Sequence, residues 1–148
     1  QRRIAEALQV DGLTRDVRRH LLHIQENILN TCCPNCHACF DQFDACCAVK
    51  CGNGTCGHHF CAWCLAYSSP NSRFCHDHVR TCSRKLGQDP FFAESFEQVR
   101  EGWRILRAER LREYWSANVH DRNLRLSLQE QLSPLLTPDL VGPGFRLE

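Results

Sequence analysis

Cys33-Pro34-Asn35-Cys36 is the first of two Cys-x-x-Cys pairs in this chain, and Cys61-Ala62-Trp63-Cys64 is the second. Further thiols and imidazoles follow each pair at short intervals. A Cys-x-x-Cys pair on a tight turn supplies half of a tetrahedral zinc site, so each pair needs two more ligands. The spacing therefore predicts two zinc sites, around which the rest of the chain is organised.

The first site combines Cys33 and Cys36 with Cys51, which follows after fourteen intervening residues, and with Cys56, which follows after four more. For the second site, Cys61 and Cys64 have four candidate partners: Cys75, His76, His78 and Cys82. We favour His78 and Cys82, because their spacing lets both reach one metal from the first turn of a helix. Cys75 with His78 is the alternative, and His76 could also replace a favoured ligand. Each filled site is expected to contribute roughly 10 kcal/mol or more of apparent binding energy.

The 12 cysteines among 148 residues could instead form the disulfide framework of a secreted domain. The paired spacing favours metal, and we find no secretory signal peptide and no apolar run of the roughly 20 residues that span a bilayer. We therefore expect a reducing compartment, the cytoplasm or the nucleus, and no membrane. Because the sequence begins at Gln1 and contains no methionine, we expect it to be part of a longer protein.

Charge argues against nucleic acid as the main partner. The chain carries 18 basic and 17 acidic residues, without the excess of cations that gripping phosphates requires. The cysteine region itself holds few cations. A zinc-dependent nucleic-acid reader is thus the weakest of the hypotheses that the cysteines allow.

Helical patterns flank the metal region. Residues 1–30 form an N-terminal helical segment or linker, whose apolar stripe is Leu13, Val17, Leu21, Ile24 and Ile28. We place its N-cap at Thr14, after a break at Asp11-Gly12 that separates a short helical turn around Ile4 to Leu8. Residues 31–86 form the two-zinc domain, in which Gly52, Gly54 and Gly57 allow tight turns between ligands.

Residues 87–132 are predicted to form C-terminal helices. Asp89-Pro90 would open the first, with an aromatic-rich stripe to about Val119, and a second would run from Asp121 to Ser133-Pro134. Residues 133–148 are an irregular tail. The expected fold class is a small zinc-stabilised domain with two zinc sites and short β-hairpins, flanked by α-helices: mostly α plus metal-knuckle loops.

Eight ligands leave five cysteines: Cys32, Cys39, Cys46, Cys47 and Cys75. We expect Cys32 and Cys39 to be small buried side chains. Cys46 differs, because it lies in the long loop that joins the two halves of the first zinc site. An exposed thiol at the edge of a metal knuckle and near histidines could be held partly as thiolate, the form that attacks a thioester.

This pattern resembles the catalytic RING-like domain, called Rcat or the second RING, of RING-between-RING ubiquitin ligases. The resemblance runs from Cys33-Pro34-Asn35-Cys36 through Cys46, Cys51 and Cys56 to Phe60-Cys61-Ala62-Trp63-Cys64. It implies that Cys46, five positions before the third ligand, receives ubiquitin as a thioester from a ubiquitin-conjugating enzyme and passes it to a lysine of a protein substrate. The neighbouring Cys47 is the alternative nucleophile.

The family commonly has a histidine two residues after this cysteine, where this chain has Ala48. We expect His59 to act as the general base instead, with His58 or His76 as alternatives. The domains that would recruit the conjugating enzyme are not among these residues, so the module would accept and transfer ubiquitin. The competing hypothesis is a non-catalytic zinc-binding domain of the same fold that binds other proteins.

Overall fold

The structure is a computed structural model that describes residues 2–40 and 45–147 and, within the first helix, the side chains of residue 4 and of residues 9 onward. The chain divides into two compact units. One is Asn30–Leu106, which contains both Cys-x-x-Cys pairs, and the other combines Gln1–Leu29 with Arg107–Glu148.

The elements follow one another in the order helix, strands, helices. Helix α1 is Arg2–Ile24 and continues as one π-helical stretch, Gln25–Leu29; the strands are β1 Ala48–Lys50, β2 His59–Cys61 and β3 Ser68–Ser69; the later helices are α2 Ser72–Thr81, α3 Phe96–Asn118, α4 Arg122–Leu132 and α5 Pro138–Val141. The described part of the chain contains no helix long and apolar enough to cross a membrane.

The unit Asn30–Leu106 is built on a three-stranded antiparallel sheet in the order β1-β2-β3. The central strand β2 pairs Cys61 with Ala48 and Phe60 with Val49, and on its other side pairs His59 with Ser69. A sheet of such short strands is not stable alone. Helix α2 therefore packs against it, and the largest fully buried side chains of this unit are Trp63, Phe60, Val79 and Val99.

The first part of α3 closes this core. The indole Nε1–H of Trp103 donates a buried 2.7 Å hydrogen bond to the carbonyl of Ala62, between the two cysteines of the second pair. Gly102 lies where the helix passes the Trp63 ring, and a Cβ there would meet ring carbons at 3.2 Å. The unit that holds the cysteine pairs thus extends beyond Leu86 into α3.

The other unit is a helical cluster. Its core combines residues of α1, the second part of α3, α4 and the tail, including the fully buried Ile24, Leu111, Leu128 and Leu132. The apolar stripe predicted for the N-terminal segment is confirmed here: Val17, Ile24 and Ile28 are buried, while Leu13 and Leu21 pack against the core. Helix α4 starts next to Asp121 as predicted, and the Asp121 carboxylate caps it by accepting from the N–H of Leu124.

Several predicted helix boundaries are wrong. Helix α1 runs unbroken through Asp11-Gly12, so Thr14 is not an N-cap. A single glycine costs a helix only about 1 kcal/mol, which the rest of a 23-residue helix can offset. In the tail, Pro138–Val141 forms one short helical turn where irregular chain was expected.

Asp89 does not open a helix. Its carboxylate accepts from the N–H groups of Phe91 and Phe92, which makes a local turn instead. Helix α3 begins at Phe96, where the Ser95 hydroxyl accepts from the Gln98 N–H and the Gln98 side chain accepts from the Glu94 N–H. This Ser-x-x-Gln arrangement is close to a capping box, a stronger start signal than a lone aspartate before proline.

Candidate metal centres and the Cys46 thiol

Two clusters of ligand atoms lie in the unit Asn30–Leu106. Each brings four side-chain donor atoms within 4.8 Å of one another, and the two sets are Cys33, Cys36, Cys51 and Cys56, and Cys61, Cys64, His78 and Cys82. These sets could hold two metal ions, and they are the ligand sets predicted from the spacing. No third such group of His, Cys, Asp or Glu occurs in residues 2–40 and 45–147.

The distances within the clusters fit tetrahedral coordination. Sγ of Cys33 lies 3.8 Å from Sγ of Cys56, and Sγ of Cys36 lies 3.5 Å from Sγ of Cys51. In the second cluster Sγ of Cys64 lies 3.4 Å from His78 Nε2. Zinc–sulfur bonds of about 2.3 Å at tetrahedral angles place sulfurs roughly 3.8 Å apart, and a sulfur–nitrogen edge is slightly shorter.

The pKa shifts of the clustered thiols also favour a bound metal cation. In the first cluster the backbone N–H of Ala38 lowers the pKa of Cys36 to about 6, while burial raises the pKa of Cys51 to about 12. In the second, the hydrogen bond between Cys61 and Cys64 lowers the pKa of Cys64 and raises the pKa of Cys61. Close thiols therefore cannot all ionise by themselves, and a bound metal cation would stabilise the fully deprotonated set.

The backbone folds the same way after three of the ligands. His37, Gly57 and Leu65 each follow a ligand cysteine and each has a positive φ, of 64°, 67° and 50°. In the two Cys-x-x-Cys turns, the N–H of His37 donates to the Cys33 carbonyl and that of Leu65 to the Cys61 carbonyl. Only one of the three positions is a glycine, so glycines alone do not mark these turns.

The second pair of ligands in the second cluster lies at the end of a helix, not in its first turn as predicted. Helix α2 is capped at its start by Asn71, whose side chain accepts from the Phe74 N–H. His78 is in the last turn, and Cys82 is the C-cap, with extended backbone that directs the chain away from the helix. Tyr67 stacks on the His78 ring at 4.3 Å between centroids and fixes its orientation.

Cys46 lies outside both clusters and beside a histidine. Its Sγ is half-buried and lies 3.8 Å from His76 Nε2 and 3.8 Å from the carbonyl of Ala48. The other ring nitrogen of His76, Nδ1, lies 2.7 Å from the carbonyl oxygen of Ser72. A carbonyl can only accept, so Nδ1 carries the proton, and in the neutral ring Nε2 presents a lone pair to the thiol.

The backbone around Cys46 is held by a short pairing with the segment after Asp89. Cys46 forms an antiparallel bridge with Phe92, flanked by hydrogen bonds from Cys47 N–H to Phe91 and from Ala93 N–H to Ala45. The ring of Phe91 meets the His76 ring edge-on at 5.3 Å. This pairing positions both the thiol and the imidazole.

The other candidate residues occupy different places. His59 is on β2; its Nδ1 is buried without a hydrogen-bond partner, and burial lowers its pKa. Among the described residues it makes no hydrogen bond to Cys46. His58 instead lies 3.3 Å from the Ser68 hydroxyl. Of the three candidate bases, His76 is the one that contacts the Cys46 sulfur, and sequence reasoning ranked it behind His59.

The other cysteines outside the two clusters differ in how deeply they are buried. Cys47 and Cys75 are fully buried, which raises the pKa of Cys47 to about 12 and that of Cys75 to about 11. Neither is in a metal cluster, so both act as apolar core residues. The prediction that Cys32 and Cys39 are buried is wrong: Cys39 is exposed and Cys32 is half-buried, because both lie on a short surface hairpin around the first pair.

The sequence feature that could have drawn attention to His76 is its spacing from Ser72, which lies four residues earlier. Residues four apart on a helix share a face, and Asn71 is a strong N-cap residue before Ser72.

The sequence matches no known family model, and searches of curated proteins and of solved structures also find no match.

Proposed function

We propose that this chain is the acceptor and transfer module of a ubiquitin ligase of the RING-between-RING type, with Cys46 as the nucleophile and His76 as the general base. The observation that carries the proposal is a half-buried thiol, outside both metal clusters, whose sulfur lies 3.8 Å from Nε2 of the His76 imidazole. The buried Cys47, whose pKa is raised to about 12, is a poor nucleophile by comparison.

The two clusters would hold two structural zinc ions. Four thiolates, or three and an imidazole, form closed sites that leave no coordination position for a substrate. Zinc would therefore supply folding energy and hold the two knuckles that flank the Cys46 loop. The chemistry would be left to this chain's own side chains.

In the first step the Cys46 sulfur attacks the thioester carbonyl at the C-terminus of ubiquitin on the conjugating enzyme. His76 Nε2 takes the thiol proton and returns it to the departing thiolate of that enzyme. In the second step a lysine amine of the substrate attacks the new thioester, His76 Nε2 accepts a proton from the amine, and Cys46 leaves as the thiolate. The Ser72 carbonyl accepts from Nδ1–H and so favours the neutral tautomer in which Nε2 can take the proton at the start of each step.

Ubiquitin that carries a C-terminal electrophile tests the nucleophile without any recruiting domain. The full chain should form one covalent adduct; Cys46→Ala should abolish it, and Cys39→Ala, which removes an exposed thiol, should leave it unchanged. His76→Gln should slow adduct formation more than ~10-fold, whereas His59→Gln should not. Equal labelling of Cys46→Ala and the wild type would reject the proposal.

A charged conjugating enzyme, supplied in excess, then tests transfer. The wild type should show a thiol-sensitive adduct on a non-reducing gel, and Cys46→Ser should accumulate a stable oxyester. If the electrophile labels Cys46 but no conjugating enzyme charges it, the reactive thiol stands and the ubiquitin-transfer assignment fails.

A non-catalytic protein-binding domain is the second candidate, and exposed aromatic rings favour it. Phe74 and Phe92 are 56% and 51% exposed, and Phe92 is the bridge partner of Cys46. Exposed rings of this size are typical of protein-contact surfaces. This candidate predicts that Cys46→Ala leaves partner binding intact, while Phe92→Ser weakens it.

A further inference from the structure

Cys32 and Cys39 face each other across the hairpin that carries the first Cys-x-x-Cys pair. They form an antiparallel bridge, and the flanking hydrogen bonds run from Cys33 N–H to Ala38 and from Phe40 N–H to Thr31, at 3.0 and 3.3 Å. The residues adjacent to Cys32 and Cys39 form these hydrogen bonds, so Cys32 and Cys39 are themselves a non-hydrogen-bonded pair. In such pairs the Cα atoms are about 4.5 Å apart and the side chains lie on the same face.

This placement meets the requirements of a disulfide. Bridged cysteines have Cα separations of roughly 4.4–6.8 Å, a range that includes the spacing typical of a non-hydrogen-bonded antiparallel pair. Neither residue belongs to a metal cluster. Cys39 is exposed to a soluble oxidant, and Cys32 is half-buried directly opposite it.

We propose that Cys32 and Cys39 are a redox-active dithiol that a low-molecular-weight disulfide, such as glutathione disulfide, oxidises to an intramolecular disulfide. The Cys39 sulfur attacks one sulfur of glutathione disulfide, and one glutathione leaves with the Cys39 proton. The Cys32 sulfur then attacks the Cys39 sulfur of the mixed disulfide, and the second glutathione leaves with the Cys32 proton. The pair loses two electrons and two protons, and one glutathione disulfide becomes two glutathione thiols.

The Cys32–Cys39 disulfide would enclose the first Cys-x-x-Cys turn. Cys33 and Cys36 both lie between the bridged residues, so the disulfide closes a small ring that contains two ligands of the first cluster. Since a cross-link restricts the opened chain, the oxidised protein should release metal from this cluster more slowly. The proposal does not depend on ubiquitin transfer.

The test uses the metal-loaded full chain incubated with glutathione disulfide. Remaining thiols are alkylated after denaturation, and the peptide that contains residues 30–40 is sequenced by mass spectrometry. We expect a Cys32–Cys39 disulfide with unchanged metal content, and slower metal transfer to a competing chelator. Cys32→Ser and Cys39→Ser should each abolish the intramolecular bond, and Cys39→Ser, at an exposed position, should fold normally.

Cys46→Ser is the matched control, because it removes a half-buried thiol outside the clusters and should leave the disulfide in place. Three results would overturn the proposal: no oxidation of the pair, a glutathione adduct on Cys39 that never resolves, or a disulfide that includes Cys33 or Cys36 and releases metal.

Discussion

The contact between Trp103 and Ala62 gives the sharpest test of how helix α3 supports the metal-binding unit. Trp103 is only 6% exposed, its Nε1–H donates to the Ala62 carbonyl at 2.7 Å, and its ring meets Phe40 and Phe96 edge-on. Trp103→Phe keeps an aromatic ring but removes the donor. Leaving the buried carbonyl without this donor costs about 1–3 kcal/mol, and the smaller ring leaves a gap that adds about 1 kcal/mol.

We therefore expect Trp103→Phe to lower the free energy of unfolding of the unit Asn30–Leu106 by roughly 2–4 kcal/mol. Urea titration monitored by hydrogen exchange of amides in residues 30–106 measures this change for that unit. The control is Ile105→Ala, on the same helix but 40% exposed, which should cost less than about 1 kcal/mol. Equal urea midpoints for the two variants would refute the view that this hydrogen bond holds α3 against the second Cys-x-x-Cys turn.

Two further predictions concern metal and pH. Chelation should abolish hydrogen-exchange protection in the unit Asn30–Leu106 but leave protection in the other unit, because both clusters lie in the first; loss of protection across both units would contradict this. The second concerns His20, which is 3% exposed, lies 2.7 Å from the Tyr114 hydroxyl, and has its pKa lowered from 6.5 by burial and by Arg19. The unfolded chain then binds the proton more tightly, so this contribution to stability is complete above about 6.5 and is lost as pH falls below it. His20→Gln should reduce the difference between urea midpoints measured at about pH 7.5 and 5.5, and an unchanged difference would show that His20 is not responsible.

Spacing along the chain grouped the first metal cluster, favoured the correct ligands of the second while leaving Cys75 and His76 as alternatives, and was insufficient for the helix boundaries. A Cys-x-x-Cys turn is a local structure, so the ligands can be grouped without knowledge of the tertiary fold. Boundaries depend on competing local signals. Asp89-Pro90 resembles a helix start, but the Asp89 carboxylate forms its own turn, and the Ser95 and Gln98 side chains cap the helix six residues later.

The domain organisation depends on contacts between distant segments. The helical apolar stripe of α3 becomes less regular after Leu106, but it does not reveal that the part before this point packs with Trp63 and the part after it packs with Leu128. The sheet is likewise nonlocal, because β3 has only two residues and gains its place by pairing with β2. Neither feature has a strong sequence signal of its own.

The base proposed for Cys46 illustrates why closeness along the sequence is a poor guide to which side chains meet in the fold. His59 is nearer to Cys46 along the chain, but it lies on a strand whose register pairs it with Lys50 and Ser69. His76 is thirty residues away, yet helix α2 brings its Nε2 to 3.8 Å from the Cys46 sulfur. The second cluster holds the end of that helix through His78 and Cys82, so metal binding there would also fix the position of His76. Under the proposed function, a metal ion in the second cluster would support reactivity at Cys46 without contacting the reacting atoms, and a His78→Ala variant should lose electrophile labelling together with metal binding at that cluster.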